Sequence, residues 1–152
     1  METIEKLAWE IIPDFYTPSI PLEHSIFFVK KFQTVAALLD QVADGFEYYL
    51  LNHGGMDAGY LGIQAKKNTM TLSKLYILKQ YRGKGIGAMA MLFTGERAKE
   101  LHSSQIELIV NRQNQKAIEF YEKRGFRING SLVHKFENGY SIEDYKMVKH
   151  ID

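Results

Sequence analysis

A mixed α/β domain with one central sheet is the fold class this sequence predicts, and three observations predict it. The 152 residues are one domain's worth of chain, read as a single domain over 1–152, and 45% of them are hydrophobic. That is enough to build a core and too much for a disordered chain. Apolar residues recur at helical spacing up to about Gly45, and aromatic and branched runs broken by turn residues follow. From the strand Thr69–Leu78 onward the pattern alternates as β-α-β-α-β-β.

The first helix is carried by Ile4, Leu7, Ala8 and Ile11, with Thr3 as its N-cap and Pro13 as its end. Pro18 and Pro21 break the next stretch. A second helix is predicted over about Leu22–Phe32. A third carries Val35, Leu38, Leu39 and Val42 and stops at Gly45. Phe46–Leu51 reads as a strand, Asn52-His53-Gly54-Gly55 as a turn, Tyr60–Ala65 as a second strand, Lys67-Asn68 as a tight turn and Thr69–Leu78 as a third strand. Together they form an antiparallel meander. A Gly-rich segment, Arg82–Gly87, then opens a helix that uses Met89, Leu92, Phe93 and Ala98 and ends near His102. Ile106–Val110 is a strand, Asn114–Arg124 a helix stopped by Gly125, and Phe126–Phe136 and Tyr140–Val148 are strands joined at Glu137-Asn138-Gly139.

Composition excludes several functions. Nineteen basic and eighteen acidic residues leave a formal net charge of +1, too little for a general field that captures nucleic acid or an acidic membrane. There is no cysteine, hence no disulfide, thiolate metal site or thiol nucleophile, which suits a reducing cytoplasm. No apolar run approaches the roughly 18–20 residues of a membrane span. The first residues lack the basic-then-apolar order of a secretion signal. The expectation is a soluble cytoplasmic α/β domain without metal, nucleic-acid or membrane partner.

The segment Gln80-Tyr81-Arg82-Gly83-Lys84-Gly85-Ile86-Gly87-Ala88 stands between a strand and a helix. Glycines let backbone N–H groups converge and let a ligand approach closely. The helix adds its positive end and its unpaired N–H groups, and Arg82 and Lys84 add charge. A diphosphate suits such a place. The Walker A pattern is absent. Gly83, Gly85 and Ala88 satisfy a loose dinucleotide pattern, but a meander precedes it rather than the first strand of a βαβ repeat. Downstream, Leu108–Phe126 reads as strand, polar loop and short helix. Asn114 and Tyr121 are seven residues apart, two helical turns, and share a face.

Taken together, the Gln80-x-x-Gly83-x-Gly85 pattern and the Asn114…Tyr121-Glu122-Lys123-Arg124-Gly125-Phe126 run resemble the GCN5-related N-acetyltransferase (GNAT) family, in its bacterial form. The resemblance covers Phe46–Phe126 well and the closing strands to about Lys149 more loosely. It implies a GNAT-like fold, a central mixed and mostly antiparallel sheet with flanking helices, and acetyl-CoA as co-substrate. By resemblance, the backbone of Leu75, Tyr76 and Ile77 receives the pantetheine arm as an added strand. Gly83, Lys84, Gly85, Ile86, Gly87 and Ala88 hold the diphosphate, with Gln80 and Arg82 beside them. Asn114 hydrogen-bonds the arm and Tyr121 stands near the thioester sulfur as general acid. The Ile77 N–H is the oxyanion donor. Some family members carry a glutamate on the strand matching Thr69–Leu78. Here Thr71 and Ser73 occupy the substrate face, so Glu107 on the next strand is the candidate base, with His24 and Glu23 as weaker ones.

The family ordinarily begins with a strand beside the meander. This chain begins with a helix, so the first family strand is read as missing and Phe46–Leu51 as a sheet edge, which a second copy in a homodimer could cover. The acceptor would be a primary amine on a small molecule or a protein. Glu47, Asp57, Glu143 and Asp144 are read as an acidic rim that attracts a cation. The rival readings are a non-catalytic acetyl-CoA sensor, separated by the absence of turnover, and a nicotinamide-dependent oxidoreductase, which needs another strand order.

Overall fold

The structure, a computed structural model, describes residues 1–16, 22–135, 139 and 141–151. Its helices are α1 (Glu2–Tyr16), α2 (Leu22–Phe32), α3 (Val35–Ala43), α4 (Ile86–Glu100) and α5 (Gln115–Glu122). Its strands are β1 (Phe46–His53), β2 (Met56–Lys66), β3 (Thr69–Ile77), β4 (Gln105–Asn111), β5 (Arg127–Lys135) and β6 (Ser141–His150). The strand order is β1-β2-β3-β4-β6-β5. The recorded ladders are antiparallel for β1 with β2, β4 with β6 and β5 with β6, and parallel for β3 with β4. The mixed, mostly antiparallel sheet is as expected. Among the described residues no strand precedes β1, and β1 ends the sheet order as the anticipated edge.

The chain divides into two compact units. The first comprises Met1–Gln64 and Ser73–Thr94. Its core gathers Ile4, Leu7, Ala8, Ile11 and Ile12 from α1 with Val29, Leu38, Tyr60, Tyr76 and Leu78. Glu5 ties α1 to α3 by accepting from the Val35 N–H at 2.8 Å. The fully buried Gln33 accepts from the Tyr60 hydroxyl at 2.6 Å. The second unit comprises Ala65–Leu72 and Gly95–Asp152. It buries Ile106 and Leu108 of β4, Ile118 of α5, Phe126 and Met147.

Four expectations are corrected. Thr3 lies inside α1, whose first turn is closed by the Glu5 N–H on the Met1 carbonyl at 3.0 Å. Pro13 also lies inside α1, which runs on to Tyr16. A proline removes one helical donor, and the core contacts of Ile11 and Ile12 hold that turn in place. Asn114 stands before α5 as its N-cap, its Oδ1 accepting from the Ala117 N–H at 3.2 Å. In α4, Met89 is 72% and Leu92 69% exposed, while Ile86, Ala90, Thr94 and Ala98 are buried. The inward stripe therefore runs at steps of four through a threonine, whose hydroxyl is satisfied by the Ala90 carbonyl at 2.8 Å. The breaks assigned to Pro18 and Pro21, and the turn at Glu137-Asn138, lie outside the described residues.

Candidate active site

The glycine segment is in the first unit. Beyond β3, Leu78 is extended and a single 3₁₀ turn covers Lys79–Tyr81, with Arg82 N–H on the Lys79 carbonyl at 3.2 Å. Gly83 and Gly85 both take left-handed backbone, φ +76° and +82°. A Cβ at either would meet no atom within 4 Å, so the glycines are required for conformation, and the surface in front of them is open. Gln80, Arg82, Gly83, Lys84 and Gly85 are exposed, Gly87 and Ala88 half-buried, and Ile86 turns inward. Helix α4 starts at Ile86, and its first N–H groups have no intrahelical acceptor. An exposed, basic turn feeding a 15-residue helix N-terminus is suited to an anion. The Arg82 guanidinium turns back toward the strand, its Nε donating to the Ile77 carbonyl at 3.1 Å.

Strand β3 supplies the next group. Its parallel ladder with β4 pairs Thr69–Leu72 with Gln105–Leu108 and ends there, although β3 runs on to Ile77. The Leu78 N–H donates to the Ala58 carbonyl at 2.8 Å. Successive amides of an extended strand point to opposite edges. The Ile77 N–H and C=O therefore face the edge away from β2. Thr71, Ser73, Leu75 and Ile77 alternate with the buried Met70, Leu72, Lys74 and Tyr76.

Asn114, Tyr121 and Glu107 lie in the second unit. The Asn114 cap fixes the start of α5, and Tyr121 is near its end, one ring edge against Phe120 (centroids 5.3 Å) and against the buried Phe126 (5.6 Å). Glu107 sits opposite Thr71 in one ladder and Val148 in the other. Its carboxylate accepts from the Thr71 hydroxyl at 3.4 Å and pairs with Lys146 at 3.2 Å. Lys146 thereby ties the carboxylate to β6. The acidic rim is not four free charges. Glu143 pairs with Arg112 at 2.7 Å, Asp144 lies 3.7 Å from His134, and Glu47 accepts from the Tyr49 hydroxyl. Burial raises the Asp144 carboxyl above its ordinary value, with His134 opposing. Glu23 and His24 are on α2, Glu23 exposed and His24 half-buried. Among the described residues no three His, Asp or Glu side chains are placed to hold a metal. No described helix is long and apolar enough to cross a membrane.

Sequence reasoning missed Lys74. It is 8% exposed. Its Nζ donates to the Tyr48 hydroxyl at 2.7 Å and to Gln41 Oε1 at 3.0 Å, and it lies over the Phe46 and Tyr48 rings at 5.1 and 5.3 Å. These partners are neutral, and burial pushes the amine down to about 8. The same burial raises the Tyr48 phenol. The available signal was a lysine at the inward position of an alternation otherwise made by Met70, Leu72 and Tyr76.

Comparison with known proteins accords with this geometry. The family model described as "Acetyltransferase (GNAT) domain" matches residues 19–149. An uncharacterized N-acetyltransferase of Mycobacterium tuberculosis is 32% identical over 152 residues, covering 99% of this chain and 97% of that protein. The spermidine N(1)-acetyltransferase of Escherichia coli is 34% identical over 64 residues, 41% of this chain and 34% of the other. The PaiA N-acetyltransferase of Thermoplasma acidophilum, solved with coenzyme A, superposes with TM-score 0.82 at 21% identity over 98% of this chain and 91% of that one. A GCN5-related N-acetyltransferase of Rhodopseudomonas palustris gives 0.79 at 15% identity, covering 99% and 89%. These two show the fold. With the family model and the full-length relative, they establish that the chain is an acyltransferase and belongs to the GNAT acetyltransferase family.

Proposed function

We propose that the protein moves an acetyl group from acetyl-CoA to a primary amine by direct attack in a ternary complex. One observation carries the reading. The left-handed pair Gly83 and Gly85 opens a clear surface at the start of α4, directly after a strand whose ladder with β4 has ended. The turn offers N–H groups of Gly83–Ala88 and the charge of Lys84 to a diphosphate. At Leu75–Ile77 the edge of β3 turned away from β2 offers strand-like hydrogen bonds to the amides of a pantetheine arm. Asn114 Oδ1 is committed to its helix, so its amide nitrogen is the group available to the arm.

An alkyl amine has a pKa of about 10.4 and a thiol about 8.5. The acceptor must lose a proton before its lone pair attacks the thioester carbon, and the departing thiolate is eased by a proton. Tyr121 is assigned as the acid and Glu107, through water, as the base. As the C–N bond forms, the carbonyl oxygen gains charge, which the Ile77 N–H receives. The C–S bond then breaks to the thiol. Without cysteine there is no thiol nucleophile for an acyl-enzyme route. Partial likeness to a spermidine acetyltransferase makes polyamines the first acceptors to try. A second copy joined along the β1 edge is the assembly that light scattering would test.

The experiment is calorimetric titration with CoA followed by thiol release from acetyl-CoA across amines that include spermidine and an N-terminal peptide amine. Binding with turnover on at least one acceptor supports the proposal. Failure to bind CoA overturns it. Binding without turnover on any acceptor replaces it with a coenzyme sensor.

A further inference from the structure

We infer that Arg82 is a positioning residue for the oxyanion donor rather than a ligand of the diphosphate. The inference rests on the proposed function and departs from the first reading of Arg82 as phosphate-neutralising charge.

The peptide that joins Ile77 to Leu78 is held at both ends. Its N–H, on Leu78, donates to the Ala58 carbonyl at 2.8 Å, and its C=O, on Ile77, accepts from Arg82 Nε at 3.1 Å. The preceding peptide is pressed from the β2 side. A Cβ on Gly59 would lie 2.1 Å from the Tyr76 carbonyl oxygen and 2.9 Å from the Ile77 Cα. Only glycine at 59 lets the two strands approach so closely. These contacts leave the Ile77 residue little freedom about its own torsions, which are what aim its N–H.

Arg82 contributes a tie on the outer edge. Within a strand residue, the N–H and C=O point the same way. The guanidinium on the Ile77 carbonyl thus lies on the same edge as the Ile77 N–H, the edge turned away from β2. Arg82 immediately precedes Gly83, so the turn that would grip the coenzyme also carries the strap that fixes the acyl-binding amide. A cation on that edge also favours charge developing on the carbonyl oxygen.

The two roles for Arg82 differ in which ligand they affect. CoA has the diphosphate and lacks the acetyl carbonyl, whereas acetyl-CoA has both. The test titrates CoA and acetyl-CoA into the wild-type protein, Arg82→Ala and Arg82→Gln by calorimetry. In Arg82→Ala, acetyl-CoA is expected to weaken about fivefold, the weight of one neutral hydrogen bond, while CoA stays within twofold. Arg82→Gln, which keeps a donor without the charge, should fall between. Equal weakening of both ligands assigns Arg82 to the diphosphate and overturns the inference, as does no change in either. A wild-type protein that fails to bind CoA would instead overturn the proposed function.

Discussion

Replacing Lys74 with methionine should stabilise the protein at neutral pH, with a gain that disappears in alkali. The lysine is buried among Gln41, Phe46 and Tyr48 with neutral partners, and its amine is pushed from 10.5 to about 8. Below pH 8 the folded protein carries a charge that burial opposes. At ~1.36 kcal/mol per pKa unit, the penalty is about 3 kcal/mol at pH 7. The direction follows from linkage. The unfolded chain binds the proton more tightly, so stability rises with pH as the folded group loses its proton through about 8, and the penalty vanishes above 10.5. At pH 9.5 about 1.4 kcal/mol remains. Methionine fills the stem's volume and removes this burden, at the loss of two hydrogen bonds worth about 1 kcal/mol each. Tyr48 and Gln41 stay bonded to each other. Lys74→Met should therefore be about 1–2 kcal/mol more stable at pH 7, with an advantage that shrinks by about 2 kcal/mol by pH 9.5. Urea unfolding of both proteins at several pH values measures the difference, in which other titrating groups largely cancel. Parallel stability curves for the two proteins would refute the reasoning.

Three further outcomes concern the site. Tyr121→Phe should lower kcat by about 10-fold or more and leave CoA affinity within a factor of about two, since acid catalysis contributes roughly 10²–10⁴; an unaltered kcat removes Tyr121 from the acid role. Gly85→Val puts a branched residue at φ +82°, a conformation costing on the order of 1–3 kcal/mol; calorimetry should show CoA affinity reduced at least about 10-fold with the fold intact by circular dichroism. Glu107→Gln keeps an acceptor for Thr71 and deletes the charge that faces Lys146. A partly exposed pair is worth at most about 1 kcal/mol, so Tm should scarcely move, while kcat near pH 7 falls about 10-fold if Glu107 directs proton removal. Unchanged kcat assigns the carboxylate to the ladder alone.

The parts of this fold that were legible obey local rules. Helix α2 begins and ends where its apolar spacing does, because Leu22–Phe32 carries its own periodicity. The turn at Gly54-Gly55 declares itself by residues that tolerate positive φ, and the turn at Lys67-Asn68 by its asparagine, although the lysine is the residue that takes φ +47°. The glycine segment was readable for the same reason. The α4 face was not, since a buried threonine satisfied within its own helix looks polar in sequence while the exposed Met89 and Leu92 look like core. Pro13 misled because a local breaking rule yielded to the packing of Ile11 and Ile12.

What stayed hidden depends on residues far apart in the chain. Lys74 meets Gln41 and Tyr48, 33 and 26 positions earlier. Gly59 meets Tyr76, and Arg82 reaches Ile77 only because a 3₁₀ turn folds the chain back. Glycines at 83 and 85 announce that an anion has room, yet say nothing about which backbone amide faces the acyl carbon. On the proposed reading that aim would come from a ladder that stops at Leu72, a glycine that admits close approach and an arginine that holds a carbonyl. If that division is right, substitutions at 83 and 85 should weaken CoA and acetyl-CoA alike, and substitutions at 59 and 82 should weaken acetyl-CoA with little change in CoA.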